Sequence, residues 1–146
     1  MSTTQVVQGS AGHKNKTLAT LLALVLGVVG AHRFYLRGAV DKLGLLHVMA
    51  LPLAGLVVGL APQADVFYKI LPLLLSAIAG FIEALVIGLL ADDKFDLAFN
   101  QGSGRSSASN WPLALLLVVT MLIGATTVIA TISRLFDLLY TGGAYG

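Results

Sequence analysis

The chain has 146 residues, of which 57% are hydrophobic and only 11% are charged, and its mean hydropathy is +0.89. Soluble domains carry about 25% charged residues, so this composition excludes an ordinary soluble globule and predicts a lipid bilayer as the surroundings. The net charge of +2 is too small for a nucleic-acid interface, so no nucleic-acid partner is expected. The absence of cysteine excludes disulfides, thiolate catalysis and Cys-ligated metals.

The chain begins with small and polar residues that show no periodicity, which predicts a disordered N-terminal tail over residues 1–13. Hydrophobic segments, each near the roughly 20 residues that cross a bilayer, then cover about 17–36, 43–61, 66–91 and 112–141. The first three lie in a region of residues 14–101 that ends in a short interfacial segment, and a flexible linker over 102–111 precedes the fourth. We therefore expect an all-α integral membrane protein with four transmembrane helices in an antiparallel bundle and both termini on one side.

The first hydrophobic segment has an alternative interpretation as a signal peptide. Lys14 and Lys16 precede an apolar run that ends in small residues, which would suit cleavage after Ala31. A retained anchor is favoured because helix-compatible residues continue through "HRFYL", so that the helix would extend to Leu36.

Small residues recur every four positions in three of the segments. Close helix packing in lipid needs small side chains at this spacing, because the bilayer removes the hydrophobic drive between helices. The predicted packing rows are Ala19, Ala23, Gly27 and Ala31 in the first segment, Gly55 and Gly59 in the second, and Ser76, Gly80, Ala84 and Gly88 in the third. The rows could meet within one chain or between chains, which leaves open a homo-oligomer or another membrane protein as partner.

Glu83 is the most informative single residue, because it lies about 12 Å inside the end of the third segment, where an unpaired carboxylate is costly. With four crossings, Arg33 at the end of the first helix and His47 near the start of the second reach a similar depth. We expect an intramembrane polar cluster of Arg33, His47 and Glu83. The cluster could titrate, bind an ion or hold a lipid headgroup, or it could be a static ion pair that fixes helix register.

The sequence gives no sign of a catalytic, cofactor or metal site. His32 and His47 are fifteen residues apart, with no carboxylate at local ligand spacing, so no metal site is expected. A nucleophile elbow, a zincin motif and a phosphate loop are all missing from the sequence. We expect a protein that is not an enzyme and that needs no cofactor.

The stretch "KNKTLATLLALVLGVVGAHRFYLRG" resembles the opening of the TM2 domain family of small membrane proteins, in the longer form found in bacteria. The motif falls on residues that include Lys16, Gly27, Gly30, His32, Arg33, Phe34, Tyr35, Leu36 and Gly44, with later similarities at Glu83, Phe95 and Asn100. The sequence departs from the family pattern at Arg37, where a glycine is usual, and Gly38 follows one place later.

The resemblance implies an integral membrane protein of the bacterial inner membrane whose motif loop faces the cytoplasm. The four-span arrangement places five basic residues on the motif side and four on the side of the termini, which leaves the orientation undecided by charge. The family does not supply a biochemical activity. We expect a helix-packing scaffold or interaction module, and the alternative is a small transporter, channel or ion- or lipid-responsive protein that uses the polar cluster.

Overall fold

A computed structural model describes residues 12–145, and all of its regular elements are helices. The tail predicted over residues 1–13 therefore lies almost entirely outside the described residues. The helices are α1 (Lys16–Leu26), α2 (Ala31–Arg37), α3 (Lys42–Leu60), α4 (Val66–Leu89), α5 (Asp92–Phe99) and α6 (Trp111–Thr141), and a 3-10 turn (Gly27–Val29) follows α1.

The central helix is α4, against which α1, α3 and α6 all pack. The start of α1 lies at the end of α4, because the Lys16 ammonium contacts the Leu90 carbonyl and lies 2.9 Å from Asp92. The start of α6 is at the same end, where Thr17 donates a hydrogen bond to Asn110. We call this the α5 end of the molecule.

The other end of the bundle is closed by an ion-pair bridge, and we call it the Arg134 end. The guanidinium of Arg134 lies 3.0 Å from Asp65, which caps α4, and 2.5 Å from Asp137 in its own helix. The last described residues of the chain follow directly from this end. The described residues nearest the two termini therefore lie at opposite ends of the bundle.

The first hydrophobic segment folds into a helical hairpin made of α1, the 3-10 turn and α2. Because α1 and α3 both run antiparallel to α4, α2 must return the chain towards the α5 end. The return is visible where the Tyr35 hydroxyl accepts a hydrogen bond of 2.8 Å from the Asn15 amide, which precedes α1. The expectation of one continuous helix over 17–36 is therefore wrong.

The reversal has a local cause at Gly30. This residue takes the left-handed conformation, with φ of 69° and ψ of 25°, and its amide donates a hydrogen bond of 3.0 Å to the Gly27 carbonyl. Only glycine adopts such a backbone without steric cost. A Cβ at this position would also lie 3.0 Å from the His47 Cβ and 3.1 Å from the Gly44 carbonyl oxygen.

Three helices are long and apolar enough to cross a membrane: α3, α4 and α6. The apolar stretch Lys16–Val29 is shorter, and at about 1.5 Å per residue it spans only about 21 Å, against about 30 Å for a hydrocarbon core. The fold is all-α as expected. The first of the four hydrophobic segments forms the hairpin and not one long helix.

Two of the three predicted packing rows meet inside the chain. Gly27 and Gly80 touch backbone to backbone, since a Cβ on Gly80 would lie 2.7 Å from the Gly27 Cα. The α1 row and the α4 row are buried at Ala19, Ala23, Gly27, Ser76, Gly80, Ala84 and Gly88, while Ala31 is half-buried at the start of α2. Gly55 and Gly59 of α3 are exposed, and a Cβ on either would meet no atom within 4 Å.

Helix α5 covers the hairpin at the α5 end. Phe95 is fully buried and forms an apolar cluster with Ala19 and Ile87, against which Tyr35 and Leu36 pack. The linker after α5 is tied to it, because Ser109 donates hydrogen bonds from its amide and its hydroxyl to Asp92, and Ser107 does the same to Asp96.

Candidate functional site

The helical hairpin delivers two motif side chains to the same carboxylate. His32 and Arg33 lie in the first turn of α2, directly after the Gly30 reversal, and both face Glu83 of α4. The Arg33 Nε lies 2.9 Å from each Glu83 oxygen, and its Nη2 also contacts Oε1. The His32 Nε2 contacts Oε2, so the carboxylate is bound on both oxygens.

His47 reaches the same carboxylate from α3. Its Nε2 lies 3.5 Å from Glu83 Oε2, while its Nδ1 lies 2.7 Å from the Ser76 hydroxyl oxygen. The Ser76 hydroxyl donates its only hydrogen to the Val28 carbonyl, at 2.6 Å. Ser76 must therefore accept from His47 Nδ1–H, which leaves the His47 Nε2 as an acceptor when the ring is neutral.

Asp41 adds a second acid to the cluster. It caps α3 by accepting a hydrogen bond of 2.8 Å from the Gly44 amide, and its carboxylate lies 3.5 Å from Arg33 Nη1. With neutral imidazoles, one arginine and two carboxylates give the cluster one net negative charge. We use the name polar cluster for His32, Arg33, Asp41, His47 and Glu83.

The polar cluster is largely shielded from the surroundings. The side chains of His32 and His47 are 1% and 6% exposed, while those of Arg33 and Glu83 are 15% and 22% exposed. The His32 Nδ1 is buried and has no hydrogen-bond partner among the described residues. One imidazole nitrogen in the cluster is therefore unsatisfied, which is uncommon for a buried polar atom.

Two cavities approach the polar cluster. A crevice of about 420 Å³ between α2, α4 and α5 is lined by His32, Arg33 and Glu83. An apolar groove of about 460 Å³ between α3 and α4 reaches His47 and Ser76 from the direction of Tyr68. The carboxylate and both imidazoles can therefore be reached without unfolding the bundle.

The structure brings together all three residues of the expected intramembrane cluster, Arg33, His47 and Glu83. Sequence reasoning missed His32, Asp41 and Ser76. His32 was named as a motif residue and rejected as a metal ligand, because its contact with Glu83 spans 51 positions along the chain. The available signal was the adjacency of His32 and Arg33 after two glycines, which fits a turn that presents both side chains to one partner.

Other motif residues hold the hairpin in place. Asn100 accepts a hydrogen bond of 2.6 Å from the Lys14 amide and donates one of 3.1 Å to the Lys14 carbonyl. Gly44 gives space to Phe34, whose ring carbon would lie 2.9 Å from a Cβ at that position. The positive φ of 90° at Gly38 ends α2, so the turn displaced by Arg37 is made one residue later.

The ion pair at the start of α1 lies outside the long helices. The hydrogen bond from Lys16, followed by those from Ser109, lowers the pKa of Asp92 from 3.8 to about 2. Hydrogen bonds from Asn100 and Ser107 likewise lower the pKa of Asp96. Both carboxylates are therefore ionised at neutral pH, and they tie the linker and the N-terminal lead to α5.

These observations define an all-helical membrane protein in which a helical hairpin presents a His-Arg pair to a buried glutamate. The family model of the TM2 domain matches residues 12–60. This region of the chain therefore matches the TM2 domain, as its motif predicted. The match covers the hairpin and α3, whereas Glu83 and Asn100, which bind the motif, lie beyond it. No curated protein and no solved structure matches the chain.

Proposed function

We propose that this protein is a small, non-enzymatic membrane scaffold that binds a second copy of itself through the outer face of α3. The observation that carries the proposal is the exposure of Gly55 and Gly59. Of the three small-residue rows, those of α1 and α4 are buried inside the chain, whereas a Cβ added to Gly55 or Gly59 of α3 would meet no described atom within 4 Å. In lipid such a row favours close approach of another helix, because packing contacts replace the missing hydrophobic drive.

Cysteine cross-linking tests the scaffold proposal, because the chain has no cysteine of its own. Gly59→Cys in native membranes should form a disulfide-linked dimer under mild oxidation. The matched control is Ala125→Cys, at an exposed small residue of α6. Equal cross-linking of the two variants, together with a monomeric mass in nanodiscs, contradicts a homo-oligomer. Capture of a different membrane protein by Gly59→Cys alone would keep the α3 face and change its partner.

We also propose a membrane arrangement of three spans, α3, α4 and α6, with the helical hairpin entering and leaving at the α5 end. Seven of the nine basic residues lie at that end, and Lys69 and Arg134 lie at the other. The positive-inside rule therefore favours a cytoplasmic α5 end. The resemblance of the motif to bacterial proteins supports the inner membrane as the location, with the C-terminus outside the cytoplasm.

A second candidate function is favoured by the polar cluster: an ion-responsive membrane protein. Two imidazoles and a carboxylate converge in a site that a crevice reaches from the α5 end. Ionisable groups within a membrane are costly and are often retained for function. Fluorescence of the single tryptophan, Trp111, in nanodiscs should change when the cluster binds its ion, and the Glu83→Gln variant should not respond.

A further inference from the structure

We propose that His32, His47 and Glu83 form a binding site for one divalent transition-metal ion of the Zn²⁺ class. This inference rests on the second candidate function, whose ion it names. The three side chains come from three different helices, and one ligand atom of each lies within 4.8 Å of the others. Two histidines and one glutamate, with a free fourth position, are a ligand set that zinc adopts in proteins.

The spacing of the ligand atoms fits such an ion. Ligands at about 2.0 to 2.1 Å from a tetrahedral Zn²⁺ are about 3.3 Å from one another. The His47 Nε2 and the Glu83 Oε2 are 3.5 Å apart, close to that separation. The His32 Nε2 contacts the same oxygen directly, so the ring must withdraw to share an ion at the tetrahedral spacing. Within residues 12–145, its other nitrogen has no hydrogen-bond partner that would resist this movement.

The surroundings of His47 and Glu83 match those of metal ligands. A ligating histidine usually donates its second ring N–H to a protein acceptor, which fixes the tautomer and aims the free nitrogen at the ion. The chain from His47 Nδ1 through Ser76 to the Val28 carbonyl does this. Ligating carboxylates are held by hydrogen bonds in turn. Arg33 holds Glu83 through Nη2 at Oε1 and through Nε, which lies 2.9 Å from each carboxylate oxygen, while Oε2 also faces both imidazoles.

A bound cation would also be attracted by two hydrogen-bond acceptors that face each other in the cluster, one on His47 and one on Glu83. Because the neutral His47 donates from Nδ1, its Nε2 lone pair faces the Glu83 Oε2 at 3.5 Å with no hydrogen between them. The net charge of the polar cluster is −1 with neutral imidazoles, and Asp41 offsets the nearby Arg33 charge. Imidazole nitrogens select Zn²⁺ and its neighbours over Mg²⁺ and Ca²⁺, which prefer oxygen ligands alone.

The binding experiment uses the full chain in nanodiscs after treatment with a chelator. Zn²⁺ titrated against a competing indicator should bind with one ion per chain. His32→Gln, His47→Gln and Glu83→Gln should each abolish this binding, and Ser76→Ala should weaken it by about 10- to 100-fold. The matched control is His13→Gln, which changes the third histidine, outside the polar cluster and bonded to Ser103, and should bind as the native chain does.

A cysteine variant provides a second test of the metal site if the glutamine variants fold poorly. In His47→Cys a thiolate replaces the imidazole, so the variant should still bind Zn²⁺. Its Co²⁺ complex should show a sulfur-to-metal charge-transfer band, which no other residue of this cysteine-free chain can produce. Helical circular dichroism without metal shows whether each variant has folded.

Binding that is as strong in the cluster variants as in His13→Gln overturns the metal site, and so does a Co²⁺ complex of His47→Cys without the charge-transfer band. A Trp111 response to acidification alone, in a protein that binds no Zn²⁺, also overturns it. That last result leaves the ion-responsive function standing with the proton as its ion. Absence of any response, to protons or to metals, removes the second candidate function as well, and the scaffold proposal is unaffected.

Discussion

Glu83 is the residue on which three helices converge. Its carboxylate is bound by His32 and Arg33 from α2 and approached by His47 from α3. Hydrogen bonds to a charged group are stronger than neutral ones, and removing one partner of a buried pair leaves the other uncompensated. The stability of the polar cluster therefore depends more on this one side chain than on any of its partners.

Glu83→Gln should lower the free energy of unfolding by about 2 to 3 kcal/mol, because Arg33 loses its closest counter-charge while Asp41 remains 3.5 Å away. Denaturation in mixed detergent micelles, followed by circular dichroism, gives the comparison with the native chain. The matched control is Asp93→Asn, an exposed acid in α5, for which no change is expected. A Glu83→Gln protein as stable as the control would show that the ion pair does not hold the helices together.

Asp92 should make the α5 end sensitive to acid. A carboxyl whose pKa falls on folding stabilises the folded state above its ordinary pKa and loses that contribution as the pH drops through its folded value. The pKa of Asp92 falls from 3.8 to about 2, so its bonds to Lys16 and Ser109 should be lost between about pH 4 and pH 2. The amide proton shift of Ser109 follows this loss, and in Asp92→Asn it should be nearly constant over that range.

The meeting of Arg33, His47 and Glu83 could be predicted from depth alone, although one helix was expected over residues 17–36 where the structure has a hairpin. A full first span and a hairpin that returns to its starting end both place Arg33 near the level of Glu83. His32 could not be assigned in the same way. Its position opposite Oε2 depends on the rotation of α2 after Gly30, which no local sequence pattern fixes.

At the scale of the element, the helical hairpin is the feature that could not be predicted from the sequence. The apolar run over residues 17–36 is typical of one membrane span. Glycine is frequent in membrane helices, so its presence is only a weak indication that the helix breaks. What turns the chain is the combination of Gly30 with a partner surface. The backbone of Gly27 packs on Gly80, and the Val28 carbonyl is bound by Ser76, both from α4.

Gly30→Ala should disturb the reversal in two ways, by strain and by contact. A non-glycine residue in the left-handed region costs about 1 to 2 kcal/mol, and the added Cβ meets the His47 Cβ at 3.0 Å. The matched control is Gly102→Ala, whose φ of 78° imposes the same strain but whose Cβ meets nothing within 4 Å. Thermal unfolding should show a larger loss for Gly30→Ala, and equal losses would mean that the contact with α3 is unimportant.

Gly80→Ala should separate α1 from α4. The added Cβ would lie 2.7 Å from the Gly27 Cα, and backbone cannot move aside as a flexible side chain can. Overpacking of this kind costs about 1 to 3 kcal/mol. Gly55→Ala on α3, where a Cβ meets no described atom within 4 Å, is the control, and in detergent that keeps the protein monomeric it should hold or slightly raise the unfolding free energy, since alanine favours a helix over glycine. Loss of stability in both variants would point to helix flexibility in place of packing.

At the scale of the whole molecule, the return of the hairpin changes how charge is distributed. Counting four spans divides the basic residues almost equally between the two sides. With the hairpin, all but Lys69 and Arg134 lie at the α5 end. The composition predicted a membrane protein and the hydrophobic segments predicted helices, and the described residues are all-helical. In the proposed three-span arrangement, the number of crossings depends on one turn inside an apolar run, and the orientation depends on that number.

Single-cysteine labelling of intact cells tests the arrangement. Ser106→Cys in the linker should be protected from a reagent that cannot cross the membrane, whereas Gly143→Cys beyond α6 should react. Labelling after permeabilisation controls for steric protection. Equal accessibility of the two positions in intact cells would contradict opposite ends and restore an even number of crossings.

The contact between Gly27 and Gly80 also has a consequence for biosynthesis. The ribosome releases the hairpin long before it makes the surface that holds it, since Ser76 follows its acceptor Val28 by 48 residues. During that interval the Val28 carbonyl lacks its Ser76 donor, and His32 and Arg33 lack their partner Glu83. The hairpin therefore cannot complete its packing until α4 has been made, so we expect translation speed through residues 40–80 to influence how much protein assembles correctly.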